Sequence, residues 1–135
     1  MSTSEVWSVA DASELYEVPR WGKGYFSINS SGNVQVHPTK DPSRAIDLKR
    51  LVDDLEARGI ALPLLIRFSD ILRHRLADIH DAFQAAIAQH QYNGRYCCVY
   101  PIKVNQQRQV VEEVLNFGAP YRFGLEAGSK PELSP

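Results

Sequence analysis

The spacing of apolar residues changes period several times along the chain, and each change marks a predicted element. Residues 1–15 carry many polar side chains with little periodicity, so we expect a mobile lead-in with no more than one short helical turn. Two β-prone runs, at residues 21–28 and 34–36, then flank a polar, glycine-containing turn at residues 29–33. This pattern predicts a β-hairpin near the start of the chain.

After Pro42 the apolar residues recur at helical spacing, which predicts an amphipathic helix that Ser43 caps and that stops at Gly59. The run from Leu62 to Phe68 predicts a short strand, and Ser69-Asp70 offers a cap for a long helix after it. The apolar stripes of the two helices are Ile46, Leu48, Leu51, Val52 and Leu55, and Leu72, Leu76, Ile79, Phe83 and Ile87.

The run from Tyr96 to Ile102 contains no charged residue, which predicts a strand buried on both faces, as in a parallel sheet covered by helices. Asn105 is placed to cap a helix over residues 106–117, and a second short strand at residues 121–125 follows Pro120. This order predicts a βαβ unit with two parallel strands, which end at the same edge of the sheet. The inward positions predicted for the helix are Val110, Val111, Val114 and Leu115.

Two charged residues come at the predicted ends of these strands. Lys103 ends the first and Glu126 the second, so an amine and a carboxylate are expected at the edge where α/β folds assemble active sites. The position of Lys103 leaves two explanations open, a solvated or ion-paired strand end and a nucleophile. Ser129 and Glu132 have the spacing of a capping box, which predicts the start of a further helix.

Composition limits the classes of function. The chain has 135 residues, 44% hydrophobic and 23% charged, the size of one ordinary domain. The net charge is -1 and no long run of one sign occurs, so neither a nucleic-acid nor a membrane partner is supported. The sequence shows neither a signal-peptide pattern nor an apolar stretch long enough to span a membrane, so a cytoplasmic protein is expected.

Cysteine and histidine residues give no metal-binding pattern. Cys97 and Cys98 are adjacent in a predicted strand and would point to opposite faces, so we predict core thiols rather than a disulfide or a metal site. His74, His80 and His90 lack the paired spacing of a metal site, so we place them at the surface or its boundary. No metal-ligating residue is predicted.

Two segments carry a family resemblance. VYPIKVNQQRQVVEE at residues 99–113 and FGLEAGSKPEL at residues 123–133 closely resemble the biosynthetic arginine decarboxylase family. WGKGYFSIN at residues 21–29 and LLIRFSDIL at residues 64–72 support the resemblance, which extends over nearly all of the chain from Trp21 onward. The wider class is that of alanine racemase and ornithine decarboxylase.

The resemblance implies an α/β fold in which a TIM-type (β/α)8 barrel is joined to a second, β-rich domain. Residues 63–135 would form the opening strands of the cofactor-binding barrel, which is incomplete in this chain. Residues 16–62 would be an N-terminal hairpin and helix segment of the β-rich domain, after the lead-in at residues 1–15.

The resemblance also implies a chemistry, the conversion of L-arginine to agmatine and CO2 in polyamine biosynthesis with pyridoxal 5'-phosphate. Lys103 would form the internal aldimine, Glu126 would lie beside the cofactor and Glu132 near the active site. Related decarboxylases carry aspartate at the position of Glu126, which leaves its contact open. Mg2+ and a homo-oligomeric complete protein are implied as well.

The part of the family's site that binds the cofactor phosphate and the substrate is expected beyond Pro135, so this chain alone is expected to be inactive. Two alternatives stay open. One is another pyridoxal-phosphate decarboxylase or racemase of the same fold, and the other is a truncated product without catalytic function.

Overall fold

The structure, a computed structural model, describes residues 6–133. The chain forms two compact units, one up to Arg67 and one from Phe68 onward. The first unit combines helices with a small antiparallel sheet of strand order β1-β2-β3. Its elements are α1 Val9–Leu15, α2 Val18–Gly22, β1 Phe26–Ile28, β2 Val34–Val36, β3 Ile46–Asp47 and α3 Leu48–Ala57.

The predicted hairpin is confirmed as β1 and β2, although its first strand begins at Phe26 and residues 21 and 22 of the predicted run belong to α2. Phe26 pairs with Val36, and Val36 also pairs with Ile46 of β3, a strand that the sequence analysis did not predict. Val36 is fully buried, and Val18 and Tyr25 are buried with it. The core of the first unit therefore lies where the central strand meets the segments that precede the hairpin.

Helix α1 lies in the segment that we expected to be a mobile lead-in. Ser8 and Asp11 form a capping box, in which Ser8 Oγ accepts from the Asp11 N–H at 3.2 Å and Asp11 Oδ2 accepts from the Ser8 N–H at 2.7 Å. These bonds satisfy N–H groups that a helix start otherwise leaves unpaired. Residues 9–15 are therefore helical, and the rest of the lead-in before residue 6 lies outside the described residues.

Helix α3 begins later than predicted, because Asp47 rather than Ser43 caps it. Asp47 Oδ1 accepts from the Arg50 N–H at 3.1 Å, while Oδ2 accepts from the side-chain amides of Asn33 at 3.0 Å and Asn29 at 2.7 Å. These hydrogen bonds, the one from Asn33 foremost, lower the pKa of the Asp47 carboxyl group. Asp47 thus ties the hairpin turn to the start of α3.

Two other residues predicted for this helix, Ser43 and Ile46, lie before it, and Gly59 follows its end. Ser43 lies in a 3-10 turn, Pro42–Arg44, and Ile46 is in β3 rather than on the helix. Gly59 has a φ of 82°, the left-handed conformation that commonly follows the last helical turn, and it ends α3 as predicted.

The strand predicted at residues 62–68 is wrong for the described part of the chain. Half-buried Leu64 and Ile66 flank exposed Leu65, so the side chains do alternate as in a strand. A strand also needs a hydrogen-bonded neighbour, and none pairs with this segment within residues 6–133.

The second unit contains the predicted βαβ unit. Its elements are α4 Ser69–Gln89, β4 Val99–Pro101, α5 Arg108–Gly118 and β5 Gly124–Glu126. Strands β4 and β5 are parallel, with Tyr100 opposite Leu125 and Pro101 opposite Glu126, which confirms the predicted strand direction. Strand β5 begins at Gly124 rather than at residue 121, because Ala119–Tyr121 form a 3-10 turn. Buried side chains from both helices and from the residue before β5 form its core, namely Leu76, Val110, Val114 and Phe123.

Strand β4 is shorter than predicted and is not buried on both faces. Val99 is 51% exposed and Cys97 is exposed, whereas Cys98 and Tyr100 are half-buried. The described residues cover one face of the strand and leave the other open. The prediction that both cysteines are core thiols is therefore wrong for Cys97, and Cys98 is only partly covered.

Both helices of the second unit differ in detail from the prediction. Ser69 does not cap α4, and its hydroxyl donates to Glu113 Oε1 of α5 at 2.5 Å instead. Helix α5 begins at Arg108, and Asn105 Oδ1 accepts from the Gln107 N–H at 3.0 Å just before it. We predict from the sequence that Ser69 and Asn105 cap the helices that follow them. Asn105 does bond just before the start of α5, whereas the Ser69 hydroxyl joins α4 to α5.

Two apolar positions predicted to face inward are more exposed than expected. Leu115 of α5 is 40% exposed, while Phe83 of α4 is 47% exposed and stacks on Tyr96 with 3.7 Å between ring centroids. At the end of α5, a methyl group added to Gly118 would lie 2.5 Å from Phe123 Cβ. Glycine at this position therefore permits the close approach of α5 to the chain that enters β5.

Candidate active site at the carboxyl edge of the parallel strands

Lys103 lies just beyond the end of β4, in a 3-10 turn formed by Ile102–Val104. Its side chain is exposed. The turn is tied back to the strand by Tyr100, whose hydroxyl donates to the Asn105 carbonyl oxygen at 3.2 Å. The strand and this hydrogen bond therefore fix the backbone that carries Lys103, while its long side chain extends from it.

Glu126 is the last residue of β5 and pairs with Pro101 across the sheet. Because the strands are parallel, the turn with Lys103 and the carboxylate of Glu126 leave the sheet at the same edge. Glu126 is half-buried. The structure thus brings these two residues to the edge that the sequence predicts for them.

The side chains of the three predicted site residues converge at Gly128. A methyl group added there would lie 3.4 Å from Glu126 Oε1, 3.9 Å from Glu132 Oε2 and 3.9 Å from Lys103 Cδ. Gly128 is not among the residues that the sequence predicts for the site. A signal was available, since a glycine between two acidic residues on the loop after a strand marks a close approach of backbone to another group.

Glu132 holds the loop on which Gly128 lies. Its Oε2 accepts from the Gly128 N–H at 2.7 Å, and its Oε1 accepts from the Ser129 hydroxyl at 3.1 Å. The helix predicted to begin after Ser129 is present as a 3-10 turn, Lys130–Leu133, at the end of the described residues. Both carboxylate oxygens of Glu132 are therefore engaged within the loop itself.

A cavity of about 270 Å3 adjoins this edge of the sheet. It lies between the turn that carries Lys103 and the loop that Glu132 holds, and its lining is Ile102, Gln106, Ser129, Pro131 and Glu132. The candidate site thus borders on open space on the side of the two loops.

Among the described residues, no ion pair engages the amine of Lys103, so the amine is available to react. Within residues 6–133 its Nζ has no ion-pair partner within 4.0 Å, although two carboxylates lie near its side chain. A primary amine on a flexible stem, beside carboxylates that accept or return a proton, is suited to attack on a carbonyl carbon. The arrangement therefore supports nucleophilic chemistry at Lys103.

Three histidines lie on α4 or at its end. His74 and His80 are half-buried on α4 and His90 is exposed at its end, in agreement with the predicted boundary positions. The described residues contain no group of three or more His, Cys, Asp or Glu side chains that could hold a metal ion. No helix within residues 6–133 is long and apolar enough to span a bilayer.

A scan of family models gives no match to this chain. Curated proteins named biosynthetic arginine decarboxylase do match it. The protein from Rhodopirellula baltica is 55% identical over 127 residues, which cover 94% of this chain and 19% of the relative. The protein from Gloeobacter violaceus is 53% identical over 127 residues, with 94% and 20% covered, and that from Parasynechococcus marenigrum is 51% identical over 133 residues, with 98% and 21% covered.

Among solved structures, the crystal structure of the biosynthetic arginine decarboxylase SpeA from Campylobacter jejuni is similar, with a TM-score of 0.76 and 34% sequence identity. The match covers 87% of this chain and 19% of that protein. The chain thus spans about a fifth of the length of the relatives it matches. Over nearly its whole length, this mixed α/β chain is similar in sequence and in structure to proteins named biosynthetic arginine decarboxylase.

Proposed function

We propose that this chain is the N-terminal part of an enzyme that converts L-arginine to agmatine and CO2 with pyridoxal 5'-phosphate, as a step of polyamine biosynthesis. One observation carries the proposal. Lys103, Glu126 and Glu132 converge at Gly128, in a chain that is 51–55% identical to proteins named for this reaction. The complete protein would be a cytoplasmic homo-oligomer.

The residues at this edge fit the cofactor. Lys103 presents a primary amine on an exposed turn, and the missing side chain of Gly128 leaves room where the site residues meet. When bound, pyridoxal phosphate supplies a ring system that takes up the electron pair released as a carboxylate leaves as CO2. The amine of Lys103 would hold the aldehyde end of the cofactor, and it must be neutral to do so.

The two glutamates would have different roles. Glu126 Oε1 lies closest to the point of convergence, so we assign Glu126 to contact with the cofactor and to proton exchange with the Lys103 amine. Glu132 already accepts two hydrogen bonds from its own loop, so we assign it to positioning Gly128. Mg2+ does not fit a site among the described residues, and no step is assigned to it.

The fold proposal is that β4, α5 and β5 belong to the opening of a TIM-type barrel. Its support is the parallel pair with a helix between the strands, which is the repeating unit of such barrels. Residues 63–135 would then be the barrel part and residues 16–62 a piece of a β-rich domain, to which the antiparallel sheet β1-β2-β3 would belong.

The test is reductive trapping of the cofactor. The complete protein that contains this chain is mixed with pyridoxal phosphate and reduced with borohydride, and peptide mass spectrometry then locates the added mass. We expect the adduct on Lys103 and its loss in Lys103→Ala. The control Lys130→Ala removes a neighbouring exposed amine and should retain the adduct. Labelling spread over several lysines, or unchanged in Lys103→Ala, would refute the assignment.

A second measurement separates the substrate from the cofactor. Release of CO2 is measured after incubation of the complete protein with L-arginine, L-ornithine or L-lysine in the presence of pyridoxal phosphate, and agmatine is identified as the product from arginine. Release of CO2 from arginine alone supports the proposed substrate. Release from another amino acid, with the Lys103 adduct intact, would replace arginine but keep the cofactor.

A further inference from the structure

The amino edge of the same parallel strands borders a second cavity, of about 190 Å3. Arg95 lies before β4 and Arg122 before β5, and both line this cavity. His80 lines it from α4. Because parallel strands begin at the same edge, these residues lie at the end of the strands opposite to Lys103 and Glu126.

The lining of this cavity, which we call the basic cavity, contains no Asp or Glu. Neither Arg95 nor Arg122 has an ion-pair partner among residues 6–133. Two guanidinium groups that share a cavity repel each other unless a negative charge lies between them. Other arginines of the chain do have such partners, as in the pairs Arg20–Glu17, Arg75–Asp78 and Arg108–Glu112.

Arg122 holds its place at a cost in backbone conformation. Its φ is 59°, in the left-handed region that glycine and asparagine adopt more readily than a long side chain does. Its N–H donates to the Ala119 carbonyl oxygen at 3.1 Å, and its own carbonyl oxygen accepts from Cys97 Sγ at 3.4 Å. Glu17, Lys23, Lys40 and Gln91 share this conformation, so it describes the turn and is not itself evidence of a function for the side chain.

His80 bounds the cavity from the side of α4. Its ring packs against Tyr121 at a tilt of 31°, with 4.7 Å between centroids, and its Nδ1 is shielded from solvent without a hydrogen-bond partner in the described part of the chain. A shielded ring nitrogen without a partner costs free energy, but an atom closed to solvent does not contact a ligand in the cavity, so the proposal rests on the two arginines. Of the described residues, only His37 has another such side-chain atom.

We propose that the basic cavity binds a small phosphate-type anion between Arg95 and Arg122. Guanidinium groups match the tetrahedral oxygens of phosphate with paired N–H donors, and the amide of Gln84 in the lining supplies a neutral one. The volume is below the roughly 300–1,000 Å3 of sites for drug-sized ligands, which favours inorganic phosphate or the phosphate end of a small ester.

The test is an NMR titration of the 15N-labelled 135-residue chain with inorganic phosphate, and separately with glycerol phosphate. We expect saturable amide shifts at Gly94, Arg95 and Arg122. Arg95→Gln and Arg122→Gln should each weaken binding about tenfold or more. Arg108→Gln removes the same charge from an exposed, ion-paired site outside the cavity and should leave binding unchanged. Tighter binding of glycerol phosphate would identify an ester as the ligand, and equal binding would identify the free ion.

Three results would overturn the proposal. The first is no saturable shift at roughly 10 mM phosphate, well above the usual affinity of a specific site. The second is equal weakening in Arg108→Gln, which would indicate a general effect of charge. The third is preference for acetate over phosphate at equal concentration, which would indicate a carboxylate ligand. Because Arg122 has a strained backbone, Arg95→Gln, which lies outside that turn, tests the cavity independently of folding.

Discussion

The two edges of one parallel strand pair have opposite chemistry. At the carboxyl edge, Lys103 lies near the carboxylates of Glu126 and Glu132, which meet at Gly128. At the amino edge, Arg95 and Arg122 share a cavity whose lining has no carboxylate. Strands of three residues separate the edges by about 10 Å. The direction of the two strands therefore places Lys103 and the two glutamates at one edge and the two arginines at the other.

The difference also concerns how each edge is held. The carboxyl edge is held by hydrogen bonds within its loops, from Tyr100 to Asn105 and from Gly128 and Ser129 to Glu132. The amino edge has aromatic packing and a left-handed residue, with arginines that have no ion-pair partner in residues 6–133. If each edge is a separate site, changes at one edge should leave the other intact, and only damage to the shared core should affect both.

The largest effect is expected from the shared core. Leu76 of α4 is 5% exposed, and Leu76→Ala should lower the free energy of unfolding by about 2–5 kcal/mol, because it removes buried apolar surface and leaves a cavity. Urea denaturation measures this change, and both cofactor trapping and phosphate binding should fall with it. Leu65→Ala is the control, since Leu65 is 73% exposed and should change stability by about 0.5 kcal/mol or less. Loss of only one of the two binding properties would contradict a common core.

The next effect should be confined to the carboxyl edge. In Gly128→Ala the added methyl group meets its neighbours at 3.4–3.9 Å, which is ordinary contact, so the chain should fold with unchanged stability. The methyl group fills the space proposed for the cofactor, and the rate of borohydride trapping at Lys103 should fall about tenfold or more. Phosphate binding at the amino edge should not change. Normal trapping in this variant would mean that the cofactor lies elsewhere.

Much of the strand arrangement could be predicted from the sequence, because it depends on local patterns. The uncharged run before Lys103, the helix and the run before Glu126 give the parallel pair and its shared edge directly. The hairpin follows from its polar turn in the same way. The spacing of apolar residues and the residue types that form turns are local properties, so they can be read from a single sequence.

The errors concern choices that only tertiary structure makes. Ser43 and Asp47 are both suitable caps, and the hydrogen bonds from Asn29 and Asn33 to Asp47 decide between them. The segment at residues 62–68 has a strand pattern but no paired strand within residues 6–133. Cys97 is exposed because the described chain covers only one face of its strand.

The two candidate sites likewise contain residues that the sequence predicts and residues that only the folded structure reveals. Lys103 and Glu126 are predictable because each ends a strand, whereas the place of Gly128 depends on how Glu132 folds the loop. The basic cavity gives no sequence pattern at all. Arg95 and Arg122 are far apart along the chain, and only the parallel register brings them to one edge.

The smallest effect is expected at Glu132. Its variants distinguish a residue that positions the loop of Gly128 from a residue that contacts the cofactor. Glu132→Ala removes the acceptor for the Gly128 N–H and the Ser129 hydroxyl, and hydrogen bonds to a charged group contribute about 1.5–3 kcal/mol each when they are well shielded. This loop is partly exposed, so we expect a loss nearer to 1 kcal/mol and trapping reduced several-fold.

Glu132→Gln keeps one carbonyl acceptor for the Gly128 N–H and should restore most of the trapping, because the loop needs an acceptor rather than a charge. Ser129→Ala should be milder still, since it removes only the longer bond. If Glu132→Gln instead abolishes trapping while amide exchange at Gly128 remains slow, the charge of Glu132 acts on the cofactor directly, and the glutamate is a contact residue like Glu126.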